Sequence, residues 1–305
     1  MIHKPDQKIA VVGYGLLGRP IAMCLRDSGL QVRIGMRRDS ENTQKAKDDK
    51  FDAGLVEDVA TWANVVFLLI PDDQQGEVYS ESLDSTMQDG SILILAHGYS
   101  FLYSKIIPKE NIDAVVLAPH GPGNALRESF LEGSGLAAQI AVHQDASGQA
   151  LSRTLEIARF LGHDKGGIRI CSVREEVVMD HFAEQMVLCG GVVELMRAAY
   201  KTLVDGGYDP ESAYESIVKE LQYTVDLIHE YGPGGMLKHI SKSALAGSLW
   251  YGKAAVGEDV LKRMRDMLEK IEDGEFKSKF EKLSQADSED ILSEKLKEIE
   301  DDFRR

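Results

Sequence analysis

A glycine turn near the start of the chain narrows the possible folds more than any other feature. Gly13-Tyr14-Gly15-Leu16-Leu17-Gly18 directly follows the apolar run Lys8–Val12 and opens a helix-like stretch, Leu17–Ser28, ahead of Gly29. In such a strand–turn–helix the first glycine permits a tight turn and the second lets backbone approach a pyrophosphate. The third lets the helix pack on the strand. The helix N-terminus then offers its unpaired N–H groups to phosphate. Glycines also serve plain packing turns, but the head of an alternating region is where a dinucleotide site belongs, so these six residues are read as cofactor-binding.

The alternation continues. Short Val-, Ile- and Leu-rich runs follow at Gln31–Ile34, Val65–Ile70, Ser91–Leu95, Ala114–Leu117 and Gln139–Val142, with helical candidates Gln74–Met87 and Ser147–Leu161 between them. Runs without polar alternation fit strands covered on both faces by helices. They predict a Rossmann-type, doubly wound parallel sheet over residues 1–172. From Val173 to the end, β-type runs give way to long segments of helical periodicity broken at Gly206-Gly207, Gly232-Pro233-Gly234-Gly235 and Gly252. Residues 173–305 are therefore read as an all-helical domain, the charged stretch 281–305 being a solvated helix.

The end of the second strand chooses the nucleotide. An acid there binds a ribose 2′-OH, whereas arginine accommodates a 2′-phosphate. Here the chain reads Arg37-Arg38-Asp39-Ser40-Glu41. Arg37, Arg38 and Ser40 form a phosphate clamp, opposed by Asp39 and Glu41, so NADPH is expected over NADH. Charge excludes other partners. With 35 Lys+Arg against 50 Asp+Glu, the net charge of −15 argues against nucleic acid and against an anionic membrane surface. The run Val65–Ile70, closed by Pro71, is too short to span a bilayer. Residues 1–6 hold no signal-peptide core, and the sparse cysteines Cys24, Cys171 and Cys189 read as reduced thiols of a cytoplasmic protein.

Chemistry-bearing residues fall in both halves. Ala96-His97-Gly98 and Ala118-Pro119-His120-Gly121-Pro122-Gly123 end predicted strands, where open α/β sheets hold ligands. Either histidine can exchange protons near neutral pH or simply satisfy a turn. Asp180 and Glu184 lie four apart, so on a helix they share a face as a Mg²⁺ ligand pair or as two solvated acids. Met179, Phe182, Met186, Val187 and Leu188 around them predict a buried helix, and buried acids need a partner. Glu220 lies in another largely apolar helix.

These motifs together resemble the ketol-acid reductoisomerase (acetohydroxy-acid isomeroreductase) family, in its short form with one helical domain. The resemblance rests on Gly13-Tyr14-Gly15, Leu25-Arg26-Asp27-Ser28-Gly29, Leu69-Ile70-Pro71-Asp72, Ala96-His97-Gly98, Ala118 to Gly123 and Ala141 to Ala146. It continues through Glu184 to Gly191, Val225-Asp226-Leu227, Ile240-Ser241 and Gly274-Glu275-Phe276. It implies an enzyme that turns 2-acetolactate, or its ethyl homologue, into a 2,3-dihydroxy acid by Mg²⁺-assisted alkyl migration and hydride transfer from NADPH. It also implies an intertwined homodimer sharing its active sites.

Carried onto this sequence, Asp180 bridges two Mg²⁺ ions, Glu184 holds the first, and Glu220 is offered to the second by the partner subunit. Ser241 touches the substrate carboxylate and His97 lies beside the nicotinamide, with Pro71 and Gly123 among the cofactor contacts. Two positions depart from the pattern: His120 replaces a lysine, and Ser216 replaces a glutamate four residues before Glu220. Glu215 is adjacent, but one residue along an α-helix is a rotation of ~100°. Losing a carboxylate weakens a Mg²⁺ site, and imidazole is a poor substitute for a fixed cation. Three readings follow: a working reductoisomerase with one or two Mg²⁺ ions, a reductase of a 2-oxo acid or related carbonyl compound that has lost the isomerase step, and a non-catalytic nucleotide-binding paralogue.

Overall fold

Ile9, Ala10, Val11 and Val12 are all buried, although neighbouring side chains on a strand point to opposite faces. The first strand is therefore covered on both sides. A computed structural model describes residues 7–285 and 288–303, so residues 1–6 and the tail positions 286, 287, 304 and 305 lie outside the described residues. The chain divides into two compact units, Met1–Val177 and Val178–Arg305.

The first unit alternates β1 (Lys8–Val12), α1 (Gly18–Asp27), β2 (Gln31–Met36), α2 (Asn42–Asp48), β3 (Asp52–Leu55), α3 (Val56–Trp62), β4 (Val65–Leu68), α4 (Asp72–Val78), β5 (Ile92–Leu95), α5 (Tyr99–Leu102), β6 (Asp113–Pro119), α6 (Gly123–Glu132), β7 (Ala138–Gln144), α7 (Ala150–Phe160), α8 (His163–Gly166) and β8 (Ile168–Ile170). They form one sheet in the order β3-β2-β1-β4-β5-β6-β7-β8. Ile9, Val11, Ile34, Phe67, Ile94 and Val115 face one core, while Ala10, Val12, Val66, Leu68, Leu95 and Val116 face the other.

The sheet is the expected doubly wound, mostly parallel one, with a single antiparallel pair among the described residues. β6 and β7 run antiparallel, with Pro119 opposite Ala138. The connecting helix α6 packs on α1 and does not cross the sheet. The segment after Gly133 then returns the chain to the end it left. β3 and β8 also lie at sheet edges, where a strand need not be apolar on both faces, and neither stands out as a run in the sequence.

Asp113 at the start of β6 is buried and accepts from the Ser147 N–H (2.9 Å), the Ser147 hydroxyl (2.8 Å) and Arg153 Nη1 (2.5 Å). This cluster pins α7 to the sheet. Removing one partner of a buried pair leaves an uncompensated charge, so Arg153→Ala is expected to cost about 2 kcal/mol in urea unfolding. Adding Asp113→Asn should recover part of that loss, and strictly additive costs would contradict the assignment.

The second unit is helical: the end of α9 (Val173–Ala183), then α10 (Gly190–Asp205), α11 (Pro210–Tyr214), α12 (Leu221–Met236), α13 (Lys242–Ala255), α14 (Glu258–Glu272), α15 (Glu275–Gln285) and α16 (Ser288–Asp302). The charged last helix does more than solvate. Arg197 on α10 donates to Asp302 (2.5 Å) and Glu298 (3.1 Å), and Phe303 packs against Tyr200 and Tyr214. Among the described residues no helix is long and apolar enough to cross a membrane.

Candidate active site and cofactor pocket

The glycines of the first turn divide their labour as the geometry demands. Gly13 has φ +95°, and a Cβ there would meet Leu69 O at 2.5 Å. A Cβ on Gly18 would lie 2.2 Å from Gly13 O, whereas Gly15 faces open space. No side chain caps the start of α1, so its N-terminus is served by backbone alone. The floor is tight and the outer side is open, as a bound pyrophosphate requires.

Tyr14 contributes backbone to this turn, but its side chain is buried and its hydroxyl donates to Asp49 at 2.8 Å. Asp49 also receives a fork from Arg19 at 2.7 and 3.0 Å. The Arg19 bonds hold the Asp49 carboxyl down at about 2. Burial, with Asp49 alongside, raises the Tyr14 phenol well above its ordinary range. Arg19, which the sequence reading passed over, lines a cavity of about 620 Å³ with Gly15, Leu16, Lys45, Gly123 and Arg127. Leu16 is 94% exposed at its rim. Gly123 is obligatory here, because a Cβ would fall 2.0 Å from Leu16 O. Arg37 and Arg38 follow β2 as exposed side chains, and Ser40 closes their turn with its N–H on Arg37 O (3.2 Å). Pro71 precedes α4 at the end of β4.

His97 and Gly98 follow β5, and both meet one buried acid. Glu176, 1% exposed, accepts the Gly98 N–H at 2.7 Å and lies 3.1 Å from His97 Nδ1. A Cβ on Gly98 would sit 2.7 Å from that carboxylate, so glycine is what lets the acid approach. Glu176 escaped the sequence reading, but a signal was present. Ser172 and Glu175 form a capping box, with Ser172 N–H to Glu175 at 2.8 Å and Glu175 N–H to the Ser172 hydroxyl at 3.2 Å. That accounts for Glu175 and leaves Glu176 on the same helical face as Val173 and Val177, where an acid needs a partner. His120 follows β6; it is exposed, and its backbone N–H donates to Ala137 O at 2.8 Å.

The helix that presents Glu176 carries Asp180 one turn on, and Glu184 follows as it changes pitch. Residues Glu184–Leu188 form a π-turn, closed by Cys189 N–H to Glu184 O at 2.8 Å. A second π-turn, Glu215–Lys219, is closed by Glu220 N–H to Glu215 O at 3.0 Å. Such turns cluster at functional sites, and both border expected metal ligands. The π-turn widens the pitch between Glu215 and Glu220, yet the Glu215 carboxylate pairs with Lys219 at 2.5 Å. The Glu215 carboxylate is thus engaged by a cation one turn along its own helix. Ser241 caps α13, its hydroxyl accepting from Ala244 N–H at 3.2 Å.

The expectation of a buried Asp180/Glu184 helix is corrected. Both acids are exposed in the single chain, as are Met179 (47%), Val187 (51%) and Leu188 (64%). Apolar residues beside acids mark a face to be covered, but not whether this chain or another covers it. Among the described residues no three His, Cys, Asp or Glu side chains converge on a metal position, so Asp180, Glu184 and Glu220 are not assembled within one chain. Their oxygen donors nevertheless suit Mg²⁺.

A glycine phosphate turn with a basic cavity beside it and an acid-held histidine, turn and histidine each following the C-terminal end of a central strand, define a dinucleotide-dependent oxidoreductase. Residues 4–167 match the acetohydroxy acid isomeroreductase NADPH-binding domain, and residues 173–302 match the ketol-acid reductoisomerase C-terminal domain. The chain belongs to the ketol-acid reductoisomerase family. It is 42% identical to the ketol-acid reductoisomerase (NADP(+)) of Sulfurisphaera tokodaii over 271 residues, covering 89% of this chain and 82% of that protein. It is likewise 42% identical to the ketol-acid reductoisomerase (NAD(P)(+)) of Metallosphaera sedula, over 88% of this chain and 81% of the relative. The solved NADH-preferring ketol-acid reductoisomerase from an uncultured archean superposes with a TM-score of 0.94 at 34% identity, over 98% of this chain and 92% of that one.

Proposed function

We propose that the protein is an NADPH-dependent ketol-acid reductoisomerase acting on 2-acetolactate-type 2-hydroxy-3-oxo acids. The observation that carries this reading, beyond family membership, is the buried Glu176 held against His97 and Gly98. A module that only bound nucleotide would have no use for a desolvated acid aimed at a histidine. In the net reaction the alkyl group moves from C2 to C3. The ketone so formed takes a hydride from NADPH and a proton, giving the 2,3-dihydroxy acid and NADP⁺.

Each residue has a task. Gly13, Gly15 and Gly18 admit the pyrophosphate, Arg37, Arg38 and Ser40 take the 2′-phosphate, and Pro71 and Gly123 flank the cofactor. Glu176 accepts the Nδ1 proton of His97 and so fixes which ring nitrogen can exchange a proton with the substrate oxygens. His120 orients the substrate from the β6 end, and Ser241 offers the substrate carboxylate a helix N-terminus. Asp180 and Glu184 would hold Mg²⁺ from one subunit and Glu220 from its partner in an intertwined homodimer. When bound, the ion supplies Lewis-acid stabilisation of the charge gained by the substrate oxygens. The exposed apolar residues around Asp180 support that pairing. Thiols at Cys24, Cys171 and Cys189, all unpaired in disulfides, support a cytoplasmic setting.

A second reading, a reductase of a 2-oxo acid without alkyl migration, is favoured by His120, by Ser216 and by the engagement of Glu215 with Lys219. The two readings separate on the metal. His120→Lys combined with Ser216→Glu is expected to raise Mg²⁺ affinity about tenfold by calorimetry, since a restored carboxylate adds a hard anionic ligand. Unchanged binding would show that the second metal position lies elsewhere.

A further inference from the structure

His163 is a histidine that the proposed mechanism does not use, and it is fully buried at 0% exposure. Its Nδ1 lies 2.7 Å from Leu136 O. A carbonyl only accepts, so Nδ1 carries the proton and the buried Nε2, which has no hydrogen-bond partner, is left as a bare acceptor. The next residue along the chain, Ala137, accepts the His120 N–H at 2.8 Å. Gly121 rests on the Leu136 side chain, where a Cβ would sit 3.5 Å from Leu136 Cδ2. The α8 turn also presses backbone against backbone, since a Cβ on Gly166 would meet Leu136 C at 2.3 Å. Residues 136 and 137 thus form a two-residue bridge, with His163 on one side and the His120 loop on the other.

We propose that His163 is a positioning residue for the His120–Gly121 loop, setting the orientation that His120 presents to substrate. The kinetic part of this inference rests on the proposed function, but the placement of the loop does not. Only the neutral, Nδ1–H form of the ring fits its pocket, because a second N–H would be buried without an acceptor. Burial is the main cause that disfavours the protonated ring, and the nearby charge of His120 acts in the same sense, while the Leu136 carbonyl and Asp164 oppose it.

The test uses the full-length protein with His163→Leu and His163→Asn. Asparagine can place an amide N–H where Nδ1 stands, and leucine cannot. H163L is expected to speed hydrogen exchange of the His120 amide about tenfold and to raise the KM for 2-acetolactate five- to tenfold, with NADPH affinity unchanged. H163N should restore both towards wild type. Wild-type exchange and KM in a folded H163L protein would overturn the proposal. A silent assay with accelerated exchange would keep the placement and sink only the assigned substrate. Should H163L not fold, ring ¹⁵N spectra of the wild-type protein decide: the Nδ1–H tautomer, with His120 and Gly121 amides shifting as His163 titrates, supports the proposal. An Nε2–H tautomer, or amides that follow only the His120 ring, contradicts it.

Discussion

Gly18→Val should lose NADPH binding by two orders of magnitude or more, as read by titrating cofactor fluorescence. A Cβ at residue 18 would stand 2.2 Å from Gly13 O, and neither side of that contact is a flexible side-chain end. Helix α1 must slide away from β1, which moves its N-terminal amides from where phosphate would meet them. Overpacking of this kind costs about 1–3 kcal/mol in stability, so the variant folds with a lowered Tm. Gly15→Ala makes the control. Nothing lies within 4 Å of the added methyl, so stability should hold while NADPH binding weakens where the pyrophosphate approaches. Wild-type affinity in both variants would remove the nucleotide from this turn.

Glu176→Leu should lower kcat about 10²–10³-fold with NADPH affinity unchanged, within the range a positioned proton-transfer group contributes. The stability readout separates function from structure. The substitution removes a buried charge but strands the Gly98 N–H, so the two effects offset and Tm should move little. A residue kept for stability would behave in the opposite way, with a large fall in Tm and normal turnover in the surviving fraction. Glu176→Gln should be intermediate. Its amide can satisfy either His97 Nδ1–H or the Gly98 N–H with oxygen, but not both.

How far the sequence revealed this molecule depended on which physical rule governed each position. Central strands such as β1 and β4 are covered on both faces, and that requirement writes itself as unbroken apolar runs. Edge strands β3 and β8 escape the requirement and so were silent. β7 was legible as the run Gln139–Val142, but its antiparallel direction was not: run composition does not encode direction, which here follows from where α6 packs. At the site, Gly13 and Gly18 announced themselves because only glycine satisfies their contacts. Glu176 was obscured by Glu175, an adjacent acid with an ordinary capping duty. The exposure of Asp180 and Glu184 was misjudged because an apolar face reads alike whether its own chain or another covers it. The π-turns at Glu184 and before Glu220 left no mark, since hydrophobic periodicity does not resolve one extra residue in a turn.

The most direct measurement of the central claim is consumption of NADPH by the purified protein with Mg²⁺ and 2-acetolactate, with the product identified by mass spectrometry. The account predicts loss of NADPH absorbance matched mole for mole by 2,3-dihydroxyisovalerate, and no turnover once Asp180 is replaced by alanine. Reduction of a simple 2-oxo acid with acetolactate left intact would contradict it. It would mean that His120 and Ser216 mark an enzyme that kept the hydride step and gave up the migration.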